Sequence, residues 1–114
     1  MLQAETRRRI DRLRAATASE NWDFDGAEAI PDSEWNEAAT FAMLVGIHSA
    51  ITPHPSPCGD GSTHLRWSDG RRWIEIEQAG GTYAWTTSSG EVAEDKTRVQ
   101  ALAATEGFLR NGTR

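Results

Sequence analysis

Leu2, Thr6, Ile10, Leu13 and Thr17 recur at three- and four-residue intervals. At 100° per residue these positions form one narrow stripe of a helix. Arg7, Arg8, Arg12 and Arg14 occupy the rest of the circumference, with Arg9 at the edge of the stripe. The pattern predicts a helix over residues 2–18, and so narrow a stripe places it on the surface of the domain. The period is lost over residues 19–31 and returns in a denser form. From Trp35 to Ile51, eleven of seventeen residues are apolar and Glu37 is the only charge. Apolar residues on nearly every side mark a central buried helix, predicted over 33–50. Asp32 or Ser33 can cap it, Pro31 limits its extension, and Ala38, Ala39 and Ala42 allow a neighbour to approach closely.

Residues 52–62 carry Pro53, Pro55, Pro57, Gly59 and Gly61. They predict a loop with room for a short edge strand. Three strand-like runs follow, at 63–67, 72–78 and 82–87, divided by Asp69-Gly70 and Gly80-Gly81. Both dipeptides suit two-residue turns. Around the first, Leu65 is expected opposite Ile74 and Arg66 opposite Trp73; around the second, Gln78 opposite Tyr83 and Ile76 opposite Trp85. Both registers put Leu65, Trp67, Ile74, Ile76, Tyr83 and Trp85 on one face, and a one-residue slip would break that agreement. His64, Arg66, Trp73, Glu75, Glu77, Ala84 and Thr86 fall on the other face. Residues 88–94 read as a polar connection. A last helix is expected over 93–110, ended by Asn111-Gly112. The expected fold is a single α+β domain over residues 1–114, a three-stranded antiparallel meander with three helices packed mainly on one face.

Composition narrows the function. The 38% hydrophobic and 25% charged residues read as soluble and globular. Seventeen acids against twelve Lys and Arg leave a net charge of −5, against a general nucleic-acid binder. Lone Cys58 excludes an internal disulfide and, with no signal peptide visible, suits the cytoplasm. The apolar run Ala38 to Ile51 falls short of the roughly 20 residues of a bilayer span.

Charge is unevenly placed. Met1 to Arg14 carries five Arg and two acids, whereas Glu20 to Glu37 carries seven acids and no base. The acidic segment either reaches solvent as a docking surface or is neutralised by the first helix. His48, His54, Cys58 and His64 are zinc donor types whose spacing matches no finger or knuckle, and no metal or cofactor is expected. Asp23-Phe24-Asp25-Gly26 resembles the start of a calcium loop but lacks the further acid before the glycine and the Glu six residues after it, where Asp32 stands. It reads instead as a turn in which Asp23 or Asp25 takes backbone N–H groups, with Trp22 and Phe24 anchored in the core. Glu75 and Glu77 share an open face near Arg66 and Arg72, and no nucleophile motif or phosphate loop is present. No catalytic residues are assigned. Trp73, on the polar face, reads either as stacked on Arg66 or as an interface anchor.

The run Glu20-Asn21-Trp22-Asp23-Phe24-Asp25-Gly26-Ala27, then Pro31-Asp32-Ser33 and an apolar helix, resembles a group of small, uncharacterised bacterial and phage proteins. They share an "NWDGYGA" stretch and a later "LEW-x-x-G-x-x-x-x-IEI" hairpin, which Leu65-Arg66-Trp67 and Ile74-Glu75-Ile76-Glu77 fit. The resemblance covers residues 19–87, with Phe24-Asp25 in place of Gly-Tyr. It implies a fold and a mobile-element setting, and carries over no activity or site residues.

The leading expectation is a non-enzymatic inhibitor that occludes a basic, nucleic-acid-binding surface on a host defence factor, as an anti-CRISPR protein does, or on a toxin. The expected partner-binding residues are Glu20, Asp23, Asp25, Glu28, Asp32, Glu34, Trp73, Glu75 and Glu77. A protein partner is expected, with no direct nucleic-acid contact and no membrane. The alternatives are a nucleic-acid-associated module using the first helix, and a small hydrolase with buried carboxylates in a pocket.

Overall fold

The computed structural model describes residues 4–46 and 51–112, with side chains to residue 110. Among the described residues, three helices and five strands follow in the order α1 (Ala4–Ala16), α2 (Asp32–Gly46), β1 (His54–Pro57), β2 (Thr63–Ser68), β3 (Trp73–Ala79), β4 (Thr82–Thr87), β5 (Val92–Lys96) and α3 (Arg98–Gly112). The strands form one antiparallel sheet in sequence order. The α+β class and three-helix count stand, but the sheet has five strands rather than three.

Both added strands are edges. β1 pairs with β2 through His54–Arg66 and Pro57–Thr63. Its prolines are tolerated because an edge strand can leave one row of backbone groups unpaired. β5 lies where a connection was expected. Gly90, at φ 93°, turns the chain back so that Thr86 meets Val92, and a bulge shifts the register between Tyr83 and Trp85. With Val92 exposed and Ala93 half-buried, β5 has too little apolar alternation to reveal itself. It also displaces α3, which starts at Arg98 rather than 93. There Thr97 and Gln100 form a reciprocal cap, Gln100 N donating to Thr97 Oγ1 at 3.2 Å and Thr97 N to Gln100 Oε1 at 2.9 Å.

The Gly80-Gly81 hairpin has the expected register. The Asp69-Gly70 hairpin is shifted by two residues, so that Leu65 faces Ile76 and Trp73 faces Ser68. The cause is the Asp69 carboxylate, which accepts from the backbone N–H groups of Arg71 (2.9 Å) and Arg72 (2.8 Å) and stabilises a four-residue loop. A shift of two keeps every side chain on its face, so the core is unchanged. The strands at 63–67 and 72–78 accordingly become 63–68 and 73–79. α1 ends at Ala16 rather than 18, and α2 is helical from Asp32 to Gly46. The rest of the predicted 33–50 helix, with His48, lies outside the described residues.

All three helices cover one face of the sheet. Trp35, Phe41, Trp67 and Tyr83 fill the centre, with Phe41 edge-on to Trp67 at 5.9 Å and stacked on Tyr83 at 5.1 Å between centroids. Truncating any one to Ala removes buried ring area worth about 3–5 kcal/mol. Polar side chains tie the layers together. Gln78 Nε2 donates to the Glu34 carbonyl and to Thr63 Oγ1, joining the start of α2 to the sheet. Glu37 of α2 accepts two bonds from Arg98 of α3, at 2.8 and 2.7 Å, and a third from the Tyr83 hydroxyl. Arg98 first, with Tyr83 adding to it, holds the Glu37 carboxyl below its ordinary range. Burial first, then donation to Glu37, raises the Tyr83 phenol.

Candidate functional site

The loop between α1 and α2 is closed at its feet by Thr17, which is buried. Its hydroxyl donates to the Leu13 carbonyl and accepts from Trp35 Nε1 at 3.0 Å, while its carbonyl accepts from Ile30 N. The twelve residues 18–29 arch between these points. Ala27 and Ile30 are buried, and the half-buried Trp22 indole donates to the Glu28 carbonyl at 2.7 Å. Above the feet, backbone N–H groups are taken by side chains. Asp23 Oδ1 accepts from Asp25 N (2.8 Å) and Ala27 N (3.1 Å), and Asn21 Oδ1 accepts from Gly26 N (2.7 Å). Gly26, at φ 83°, adopts a backbone that other residues rarely take.

This geometry fulfils the turn reading of Asp23 and Gly26 but reverses the expectation for Phe24. Trp22 does pack against the core, whereas Phe24 is 91% exposed. Phe24 also adopts φ 61°, a left-handed conformation that an aromatic residue takes at a cost of about 1–2 kcal/mol. The fixed amides around it turn its side chain outward, where it forgoes about 2–3 kcal/mol of burial.

The expected docking residues divide into two sets. Glu20, Asp23, Asp25, Glu28 and Asp32 are exposed, and among the described residues none lies in an ion pair. The α1 arginines do not neutralise them; Arg9 instead donates to the His54 ring at 2.7 Å. The others are engaged. Glu34 caps the β3–β4 turn, accepting from Gly80 N at 2.9 Å. Glu75 bonds Arg66 Nε at 3.0 Å and lies 3.3 Å from His64 Nδ1, whose other nitrogen lies 3.7 Å from Glu77. Trp73 is half-buried with the Arg66 guanidinium 4.4 Å over its ring.

The fold adds Asp60, which the sequence reading passed over. The Glu28 N–H donates to Gly59 O, and the Glu28 side chain lies against Gly61. The acidic loop therefore abuts the turn before β2. Asp60 in that turn accepts from Ser62 Oγ at 2.6 Å and Ser62 N at 3.0 Å, which hold its carboxyl below the usual range. Ser62 also reaches Glu77 at 3.2 Å, linking the loop acids to the outer sheet face. The Gly59-Asp60-Gly61 turn was the available signal, since its glycines mark a bend and the acid between them must face out.

His54 accepts from Arg9, His64 lies between Glu75 and Glu77, and Cys58 bonds through its backbone to Ser62 and Gly61. Among the described residues, no group of three or more His, Cys, Asp or Glu is placed to hold a metal ion. No described helix is long and apolar enough to cross a membrane. No protein-family model matches this chain, and no curated protein or solved structure does.

Proposed function

We propose that the protein is a non-enzymatic binding protein that docks its acidic loop onto a basic, phosphate-binding surface of another protein and so excludes nucleic acid. The observation that carries this reading is Phe24, held 91% exposed among Asp23, Asp25, Glu20 and Glu28. An exposed aromatic flanked by acids, on a loop whose backbone is pinned, is suited to anchor an interface. The carboxylates steer encounter with a cationic surface, and Phe24 supplies apolar contact once there. Pinning by Thr17, Asn21 and Asp23 lowers the ordering cost on binding.

The test is capture from host lysate at low salt with three proteins: the wild type, Phe24→Ala, and the combined Glu20→Gln, Asp25→Asn, Glu28→Gln variant. The expected result is a nucleic-acid-binding protein held by the wild type, lost from both variants and displaced by heparin. Retention by the charge-neutralised variant, or wild-type protein recovered alone, would count against the reading.

A second reading has one observation in its favour: Arg7, Arg8 and Arg12 of α1 are exposed, and among the described residues they form no ion pairs. They could meet nucleic-acid phosphates directly. A gel shift that weakens steeply with salt and disappears on replacing these arginines would select it.

A further inference from the structure

A cleft of about 610 Å³ opens between the C-terminal half of α3 and the sheet, away from the acidic loop. That volume suits a small organic ligand. Two aromatic side chains lie among its mostly polar and small lining residues. Trp85, half-buried on β4, forms part of the floor, and Phe108 of α3 forms one side with the Arg72 guanidinium 4.5 Å over its ring. Arg72 is fixed there, donating to the Phe108 carbonyl at 3.0 Å and lying 3.8 Å from Asp69.

The rim supplies polar groups. Arg71 is exposed, and its guanidinium forms no ion pair among the described residues. Ser88 accepts from Trp73 N at 3.0 Å, which leaves its O–H to donate. The one described carboxylate lining the cleft, Glu91, belongs to the same β4–β5 turn as Ser88, and the cleft also carries Arg71 and Arg72. Gly107 lines the cleft from within α3, where glycine costs about 1 kcal/mol relative to Ala. A Cβ there would meet nothing within 4 Å, so packing does not demand the glycine; its effect is to leave that flank of the cleft open.

We propose that this cleft binds a small planar aromatic molecule bearing one anionic group, a carboxylate or phosphate. The ring lies against Trp85 and Phe108, and the anion meets Arg71 and the Ser88 hydroxyl. The assignment is independent of the acidic loop.

The test is a two-dimensional NMR titration of the whole protein with phenyl phosphate, and separately with phenol, benzoate and inorganic phosphate. Phenyl phosphate is expected to shift the Trp85 indole and the Arg71 and Gly107 amides saturably, in about the millimolar range for a ligand this small. Benzoate binding better than phenyl phosphate assigns the anion as carboxylate, and the reverse as phosphate. Phenol and inorganic phosphate should each bind at least about tenfold more weakly. Gly107→Leu should fill the cleft and abolish the shifts while raising the melting temperature, because Leu favours a helix more than Gly does. Arg71→Ala should erase the preference for phenyl phosphate over phenol. The proposal is overturned if no titration saturates, if the shifts map to the α1 arginines, if Gly107→Leu leaves binding intact, or if either half-ligand binds as well as the whole.

Discussion

On the outer face of the sheet, Glu75 lies 3.0 Å from Arg66 Nε and 3.3 Å from His64, and Arg66 in turn covers Trp73. In the loop between α1 and α2, Glu20, Asp25 and Glu28 face water with no described cation beside them, and Phe24 stands among them uncovered. Each region combines acids with an aromatic, so composition alone does not separate them. Secondary structure does. On a strand, cross-strand neighbours come from the opposing chain, which here supplies bases for the acids and a guanidinium for the indole. In the loop the nearest polar groups are backbone amides, which take Asp23 and Asn21 and leave the remaining charges to solvent. The loop acids are left to solvent, whereas Glu75 on the sheet face is paired.

The largest effect expected from this contrast is on binding. Phe24→Ala should weaken partner affinity by at least about 2 kcal/mol, roughly thirtyfold, and leave the melting temperature unchanged. Trp73→Ala should do the converse, lowering stability by about 1 kcal/mol through the lost Arg66 stack and leaving affinity intact. Calorimetry on both variants decides, and swapped outcomes would invert the contrast.

Glu37 sharpens it next, because it belongs to the acid-rich stretch of sequence and is nevertheless paired. Glu37→Gln should cost about 1–2 kcal/mol in a denaturant titration, since the Tyr83 hydroxyl and Arg98 lose their shared anion. Its carboxyl is held below its ordinary value near 4.5. That stabilisation is therefore complete above the unfolded-state value and is lost as pH falls through the lower folded one. Below about pH 4.5 the wild type should lose stability more steeply than Glu37→Gln, and parallel curves would refute the pairing.

Gly26→Ala should destabilise by about 1 kcal/mol through its positive φ, and weaken binding less than Phe24→Ala because the anchor is loosened rather than removed. Smallest of all, Glu75→Gln should change stability by no more than about 0.5 kcal/mol, as expected of a partly exposed pair.

The sequence revealed the core and the strand faces because period two and period 3.6 survive any error that preserves alternation. The two-residue shift at Asp69 is such an error. β5 stayed hidden because Val92-Ala93-Glu94-Asp95-Lys96 lacks alternation, and the Ser88-Ser89-Gly90 turn was its only trace. Within the site, the absence of bases between Glu20 and Glu37 marked the acidic segment, but the sequence left open whether the arginines of the first helix neutralise it, because that depends on how α1 packs in the folded chain. Phe24 was misplaced because hydrophobicity speaks for burial, whereas its direction is set by a left-handed backbone that no pattern of side chains encodes. Asp60 was missed because its neighbourhood to Glu28 exists only in the folded chain.

The two sheet borders carry a separate consequence. β1 presents Pro55 and Pro57, which have no N–H to offer, while β5 is interrupted by its bulge and by Asp95 at φ 57°. Neither margin supplies an unbroken row of donors and acceptors on which a foreign chain could align. Both borders therefore disfavour growth of the sheet by a further strand.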